Sequence, residues 1–412
     1  MKVLVFLALF GLAFASVKHY NGFQVFRALP KEEAHWKAIQ DLENGGNFDF
    51  WKISGKHADI MASPTRIEVL RNFLEERSIP YERIVPDVED MITKAAQEPK
   101  VSQGPRSTRY ALTWDNYYGF DTIKEFCFEL AASYPQMVTT TVEGQSHEGR
   151  DMILVKISNG GAAKPAVFVD GGIHAREWIS PASVTYFMRE LVENYAAHPE
   201  LVNNVDWYFM PVINPDGYQF SHDSDRLWRK NRRPNEDGCR GTDMNRNFGF
   251  HWNEGGSSGY GCYDTYHGGA PFSEVESQVV RDVILANADQ IQAYLTVHSY
   301  GQYWLTPWGW TSDYPEDYPE LFALASDAVD ALTAVEGTRY TIETSTNALY
   351  MATGGSDDWA KGGAGVKYSY TLELRDTGFY GFQLPARLIM PTAVETWEAI
   401  KVVGNFIGGM KK

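Results

Sequence analysis

Hydrophobic and polar positions divide the chain into a short first unit and a long second one. In the first unit, apolar alternation predicts four strands, and apolar residues at every third or fourth position predict two helices. The strands are expected at 22–29, 48–53, 58–62 and 81–85 and the helices at 30–43 and 64–76, the second with Ser63 as its cap. The order strand–helix–strand–strand–helix–strand predicts a ferredoxin-like α+β sandwich.

From residue 110 onward, strand-like apolar runs alternate with amphipathic helical patterns. Strands are expected at 166–172, 206–212, 291–297 and 368–374, and helices at 180–195, 273–287, 318–335 and 390–406. Such alternation predicts one α/β domain with a mixed, mostly parallel, doubly wound sheet and helices on both faces. Ligands of such sheets lie beyond the carboxyl ends of the strands, so functional residues are expected there.

The first 16 residues have the form of a secretory signal peptide. Lys2 precedes an apolar run that ends in small residues, and this run is shorter than the roughly 20 residues needed to cross a bilayer. We therefore expect a secreted chain without a membrane anchor.

Charge and cysteine content narrow the picture further. A formal net charge of −16 argues against nucleic-acid binding, which needs clustered Lys and Arg. With three cysteines in an oxidising compartment, one pair and one spare thiol is the simplest arrangement. Cys239 and Cys262 share a Gly-rich irregular stretch, whereas Cys127 lies in a helical pattern and is expected to be a buried thiol.

A polar segment with Pro and Gly, 95–114, joins the two units and carries Lys100, Arg106 and Arg109. Exposed segments of this kind are preferred sites of proteolytic cleavage. It is either a plain linker or an activation site, and we favour cleavage after Arg109.

Three residues at expected strand ends have the chemistry of a metal site. His174 and Glu177 follow one strand, and His298 ends another. A His-x-x-Glu pair alone is a weak signal. Two nitrogens and one carboxylate together match the three protein ligands of an open catalytic zinc site.

Glu373 lies between apolar residues of the expected strand 368–374, where an unpaired carboxylate is costly. Two interpretations follow from this position. Glu373 is either the partner of a buried arginine or a general base beside the metal.

Several motifs then occur in one order along nearly the whole chain: HAREW, LWRKNR, DMNRNF, TVHSYGQ, ALYMATGGSDDW and TLELRDTGFYGF. With them the chain closely resembles the pancreatic-type carboxypeptidases A and B, which are secreted as procarboxypeptidases. The resemblance implies a signal peptide at 1–16, an activation prodomain with linker at 17–109 and a zinc carboxypeptidase domain at 110–412.

The resemblance also implies a role for each site residue. One Zn²⁺ per chain would be held by His174, Glu177 and His298, with Asp243 orienting His174. Glu373 would be the general base, and Arg229 would stabilise the oxyanion. The implied substrate-binding residues are Arg176, Asn245, Arg246, Tyr300, Tyr350, Asp357 and Phe382, and the implied disulfide joins Cys239 to Cys262. The substrates would be peptide and protein C-termini, the activator a trypsin-like protease, and the enzyme a monomer.

Asp357 occupies the position that is apolar in A-type enzymes. It is either a polar turn residue or the acidic residue of a B-type pocket for Lys or Arg, and its position favours the pocket. Gly309 and Ser345 depart from the B-type pattern, in which Ser and Gly are expected, and they leave the breadth of specificity open. An A-like enzyme for aromatic or aliphatic C-terminal residues is the alternative. A non-catalytic secreted homologue is disfavoured because Glu373, Arg229 and the three expected metal ligands are all present.

Overall fold

The computed structural model describes residues 17–97 and 110–410. The predicted signal peptide, 1–16, and the predicted cleavage site at Arg109 lie outside the described residues. In the described part of the chain, no helix combines the length and the apolar character that crossing a membrane requires.

The N-terminal domain is the predicted ferredoxin-like sandwich. Its elements are β1 (Gln24–Ala28), α1 (Glu33–Asn44), β2 (Asp49–Ile53), β3 (Ala58–Ala62), α2 (Ile67–Glu76), β4 (Tyr81–Val85) and α3 (Val88–Gln97). The sheet is antiparallel with strand order β2–β3–β1–β4. Ile39 of α1 and Leu70 and Leu74 of α2 pack on it in one buried cluster.

One local prediction for this domain was wrong, and one helix was missed. Helix α2 begins at Ile67, because Ser63–Arg66 form a turn closed by a hydrogen bond from the Arg66 amide to the Ser63 carbonyl. The Ser63 hydroxyl contacts Thr65 instead of capping the helix. Helix α3 was not predicted, and it extends to Gln97, within the segment that the sequence suggested was a linker.

The C-terminal domain contains the predicted strands and helices together with several further elements. Its strands are β5 (Val138–Gln145), β6 (Asp151–Ile157), β7 (Ala166–Gly171), β8 (Asp206–Met210), β9 (Ile291–Ser299), β10 (Tyr303–Thr306), β11 (Thr341–Thr344) and β12 (Tyr368–Leu374). Its helices are α4 (Phe120–Ser133), α5 (Ile179–Glu193), α6 (Glu200–Asn203), α7 (Pro215–Asp223), α8 (Val275–Ala286), α9 (Tyr318–Glu336), α10 (Ser345–Ala348), α11 (Ser356–Asp358) and α12 (Ile389–Gly408). Short 3₁₀ or π turns lie at Met244–Arg246, Trp359–Gly363, Gly381–Gln383 and Ala386–Leu388.

The eight strands form one mixed sheet in the order β11–β10–β12–β9–β7–β8–β6–β5. The central strands β12, β9, β7 and β8 are mutually parallel, and antiparallel pairs occur only toward the two edges. Alternate residues of the central strands face opposite layers: Val167 and Val169 of β7 pack with α5, α9 and α12, whereas Phe168 packs with α8. The prediction of helices on both faces of a doubly wound sheet is confirmed.

This topology brings the ends of three strands together. In the register, Glu373 of β12 lies beside His298 of β9, and β9 in turn pairs with β7, which His174 follows by three residues. The carboxyl ends of parallel strands meet at one edge of a sheet, so residues distant in sequence converge there.

The N-terminal domain packs over this edge. One buried cluster joins Tyr20 and Trp51 of the N-terminal domain with Leu227, Tyr300 and Phe382 of the C-terminal domain. The two domains enclose a cavity of about 510 Å³.

Candidate metal centre and substrate cleft

Two histidines and one glutamate converge at the carboxyl edge of the sheet. His174 Nδ1 lies 2.7 Å from Glu177 Oε1, and His298 Nδ1 lies 3.0 Å from Glu177 Oε2. All three side chains are buried, and their ligand atoms lie within 4.8 Å of one another. The two Nδ1 atoms are only 3.2 Å apart, so both rings direct the same nitrogen at one point.

The outer nitrogens of the rings are held by the protein. His174 Nε2 lies 3.1 Å from Asp243 Oδ1, and His298 Nε2 lies 3.2 Å from the Thr296 hydroxyl. A carboxylate on the far nitrogen fixes the tautomer and the orientation of a metal-binding histidine. Two imidazoles and one carboxylate, with no thiolate, are the donor set of an open catalytic zinc site, so these residues fit Zn²⁺.

Asp243 connects this centre to Arg229. The Asp243 Oδ2 atom accepts hydrogen bonds from Arg229 Nε (3.1 Å) and Nη2 (2.8 Å), while Oδ1 contacts His174. Burial opposes ionisation of this carboxyl, but Arg229 and His174 hold its pKa well below its usual range. Asp243 therefore remains charged and fixes both the ring and the guanidinium.

Glu373 projects into the same cavity as the three ligands. Burial raises the pKa of Glu373 to about 7, although His298, Lys52 and Arg229 oppose the shift. Arg375, the nearby arginine of the sequence motif, pairs with Glu336 and Glu395 on the outer helices. A carboxyl that titrates near neutral pH is suited to accept and return a proton.

A second group of polar residues, Asn245, Arg246 and Tyr350, lines the same cavity. Arg246 donates a hydrogen bond of 2.8 Å to the Tyr350 hydroxyl, and its Nε donates to the Gly256 carbonyl. Asn245 is held by its side-chain oxygen, which accepts from the Ser356 amide at 2.9 Å. An oriented guanidinium beside an amide and a phenol provides donors for a carboxylate.

Asp357 lines the cavity next to this group and is only 5% exposed. Its Oδ2 atom lies 3.4 Å from the Ser345 hydroxyl. The adjacent Asp358 accepts hydrogen bonds from the Gly309 and Trp310 amides. A Cβ atom at Gly309 would lie 3.7 Å from the Ser345 Cβ, so these two positions face each other beside Asp357.

Comparisons with known proteins agree with this geometry. The zinc carboxypeptidase family profile matches residues 123–399, and the carboxypeptidase activation peptide profile matches 26–95. The chain belongs to the zinc carboxypeptidase family. It is a zinc metallocarboxypeptidase with an activation peptide, and Zn²⁺ is its cofactor.

Relatives and solved structures of both specificity types are similar to this carboxypeptidase. Carboxypeptidase B of Astacus astacus is 54% identical over 298 residues, which cover 72% of this chain and 98% of that protein. Carboxypeptidase B of Rattus norvegicus is 38% identical over 418 residues, covering 99% of both. The crystal structure of carboxypeptidase A from Helicoverpa armigera is 31% identical with a TM-score of 0.86, covering 94% of this chain and 98% of that one.

The activation peptide occupies the cleft through charged contacts. Arg176 Nη1 donates to both carboxylate oxygens of Asp49, each at 3.0 Å, and its guanidinium lies 4.3 Å from the centre of the Phe382 ring. The Tyr300 hydroxyl donates to Asp59 at 3.3 Å. These three expected substrate-binding residues of the carboxypeptidase are thus covered in the precursor.

Glu43 of the activation peptide lines the cavity near Arg246, Arg229 and Tyr350. Burial raises the pKa of Glu43 to about 7, and the two arginines oppose that shift. The following turn is anchored by a hydrogen bond from the Tyr263 hydroxyl to the Gly45 carbonyl.

Sequence reasoning missed the contacts between the two domains. Asp49 and Lys52 were assigned only to an expected strand. They flank an aromatic pair, Phe50 and Trp51, and this pattern could have indicated a surface that contacts another domain. A disulfide joins Cys239 to Cys262 beside this surface, and Cys127 is a buried free thiol.

Proposed function

We propose that this carboxypeptidase is secreted as an inactive precursor and releases C-terminal lysine and arginine residues. The observation that carries the proposal is the buried Asp357 carboxylate, which borders the cavity, whereas Asp358 is engaged by backbone amides. A buried carboxylate without a strong partner is costly, and a lysine or arginine side chain of the substrate would supply that partner. Release of aromatic or aliphatic residues is the alternative.

His174, Glu177 and His298 would hold the zinc. When bound, Zn²⁺ lowers the pKa of a water molecule to about 7 and polarises the scissile carbonyl. Glu373, whose carboxyl lines the same cavity as the three ligands, would accept a proton and return it to the leaving amine. Arg229, fixed by Asp243, would donate hydrogen bonds to the developing oxyanion, a contribution of roughly 3 kcal/mol for comparable donors.

The preference for chain ends would come from Arg246, Asn245 and Tyr350. A guanidinium binds both oxygens of a free carboxylate in one plane. A continuing peptide chain has no charge to place there, so this group favours exopeptidase over endopeptidase activity.

Residues 17–109 would form the activation prodomain with its linker, and 110–412 the active enzyme. We propose that a trypsin-like protease cleaves after Arg109, that 1–16 is the secretory signal, and that the enzyme is a monomer. The contacts of Asp49 with Arg176 and of Asp59 with Tyr300 support a prodomain that blocks substrate entry.

The test uses trypsin-activated protein and blocked dipeptides that end in Arg, Lys or Phe, with and without a zinc chelator. We expect chelator-sensitive release of Arg and Lys well above Phe. In Asp357→Asn, kcat/KM for Arg should fall about 100-fold, since breaking a buried charge pair costs roughly 3 kcal/mol. Asp330→Asn, which removes an exposed carboxylate of α9, is the matched control and should retain the wild-type preference.

Faster release of Phe than of Arg would leave the carboxypeptidase activity intact and refute the basic pocket in favour of the A-like alternative. An unchanged Arg preference in Asp357→Asn would refute the role of that residue. Release of none of the dipeptides would contradict the assigned catalytic roles.

A further inference from the structure

The first described residues of the activation peptide bind the cleft much as a peptide ligand would. The Lys18 ammonium lies 3.0 Å from Asp225 Oδ2, and the Tyr20 hydroxyl donates to Asp225 Oδ1 at 2.5 Å. The backbone amide of Lys18 also donates to the Ser224 carbonyl at 2.7 Å. One residue of the activation peptide thus makes a main-chain hydrogen bond and a side-chain ion pair at adjacent positions of the enzyme.

The enzyme itself fixes Asp225 in this position. Asp225 Oδ1 accepts from the Leu227 amide at 3.2 Å, and the Asp225 carbonyl accepts from the Trp228 amide at 2.9 Å. The Asp225 amide donates to the Phe220 carbonyl at 3.1 Å. None of these three bonds involves the activation peptide. The carboxylate is therefore preorganised, which lowers the cost of binding a ligand there.

Asp225 belongs to the wall of the substrate cleft. The next residue, Arg226, donates to the carbonyls of Arg176 and Phe382, two expected substrate-binding residues. Leu227 lines the cavity between Asp225 and Arg229. Arg229 lies four positions after Asp225 in the sequence, a span of at most about 14 Å. An extended peptide with its scissile carbonyl at Arg229 would reach Asp225 within about four residues.

We infer that Asp225 is the acidic residue of an upstream binding subsite, which binds a lysine or arginine side chain of the substrate. Once the activation peptide leaves, the substrate residue takes the place of Lys18, with its amide on the Ser224 carbonyl and its cation on Asp225. The subsite selects the residue upstream of the scissile bond, so it is independent of which C-terminal residue Asp357 favours. If Asp225 instead serves only to hold the activation peptide, the mature enzyme will show no upstream preference.

The test uses trypsin-activated enzyme that has been separated from its activation peptide. Blocked pentapeptides ending in Arg, and a second series ending in Phe, carry Lys, Gln or Glu at the second, third or fourth position from the C-terminus. We expect Lys to exceed Gln about fivefold in kcat/KM at one position, the upper range for an ion pair open to water on one side, and Glu to be disfavoured. Because the two series end in different residues, comparing them separates the upstream preference for Lys from the preference for the C-terminal residue.

In Asp225→Asn the ratio of Lys to Gln peptides should fall to about one, whereas Asp223→Asn, an exposed carboxylate two residues away, should retain it. Because the ratio is taken within each variant, a general loss of activity cancels. A wild-type scan without a Lys preference at any position would overturn the inference, as would a ratio that Asp225→Asn leaves unchanged. If Asp225→Asn does not fold, the salt dependence of the wild-type preference for Lys replaces it as the test. A preference that persists undiminished in about 1 M salt does not come from an ion pair and would overturn the inference.

Discussion

The ion pair between Asp49 and Arg176 makes a quantitative prediction for the precursor. Both carboxylate oxygens of Asp49 lie 3.0 Å from Arg176 Nη1, and Arg176 is 1% exposed. Asp49→Asn keeps the shape of the side chain and one acceptor oxygen but removes the charge. The closed precursor would then retain a buried guanidinium that has lost its nearest counter-charge.

The structure also limits the size of this effect. Removing one partner of a buried ion pair costs about 3–5 kcal/mol. The Asp264 carboxylate remains 3.7 Å from Arg176 Nη1 and replaces part of the lost attraction. Burial also raises the pKa of Asp49 to about 6, so part of the attraction to Arg176 only offsets the cost of enclosing the charged carboxyl. We therefore expect closure to weaken by about 2 kcal/mol, which raises the open fraction of the precursor roughly 30-fold.

The assay compares uncleaved precursors with a small blocked dipeptide substrate in the presence of a serine-protease inhibitor. Asp49→Asn should show about 30-fold more activity than wild-type precursor, and the two should be equal after activation. Glu82→Gln, which removes an exposed charge from β4, is the matched control and should behave as wild type. Equal activity of the Asp49→Asn and wild-type precursors would refute the reasoning.

Two further predictions concern carboxyl groups in the cleft. Glu373→Gln should lower kcat of the activated enzyme by 10²–10⁴-fold while zinc content, measured by atomic absorption, stays at wild-type level; full turnover would contradict the general-base role. The raised pKa of Glu43, about 7 against 4.5 for the free group, means that the closed precursor binds a proton more tightly than the open one, so closure weakens as pH rises toward 7 and levels off above it. Precursor activity relative to activated enzyme should therefore rise between pH 6 and pH 8, and a Glu43→Gln precursor should lose that rise; an unchanged profile would contradict it.

The large elements and the metal centre were predictable because local patterns specify them. Residues such as Val167 and Val169 recur with the period of a buried strand, and three strands of one parallel sheet must end at the same edge. The convergence of His174, Glu177 and His298 followed from that geometry.

Other features depend on contacts that no local pattern contains. Strands β10 and β11 have four residues each, too few to show a period, and β5 is largely exposed at its edge of the sheet. The partner of Asp49 is an arginine 127 positions away in another domain. The Ser63 prediction failed because the Ser63 carbonyl accepts from the Arg66 amide in a local turn, while its hydroxyl contacts Thr65.

In the proposed mechanism the same positive charges would serve inhibition and substrate binding, which would explain why a single cut suffices for activation. Asp49 pairs with Arg176, and Glu43 lies near Arg246 and Arg229, where the substrate carboxylate and oxyanion would bind. While the domains are joined, the tethered acids compete at an effective concentration in the millimolar range, above that of an ordinary peptide substrate. Cleavage of the linker changes none of these contacts. The proposed cut after Arg109 would remove the tether, after which dilution would let the activation peptide leave and make the arginines available to substrate.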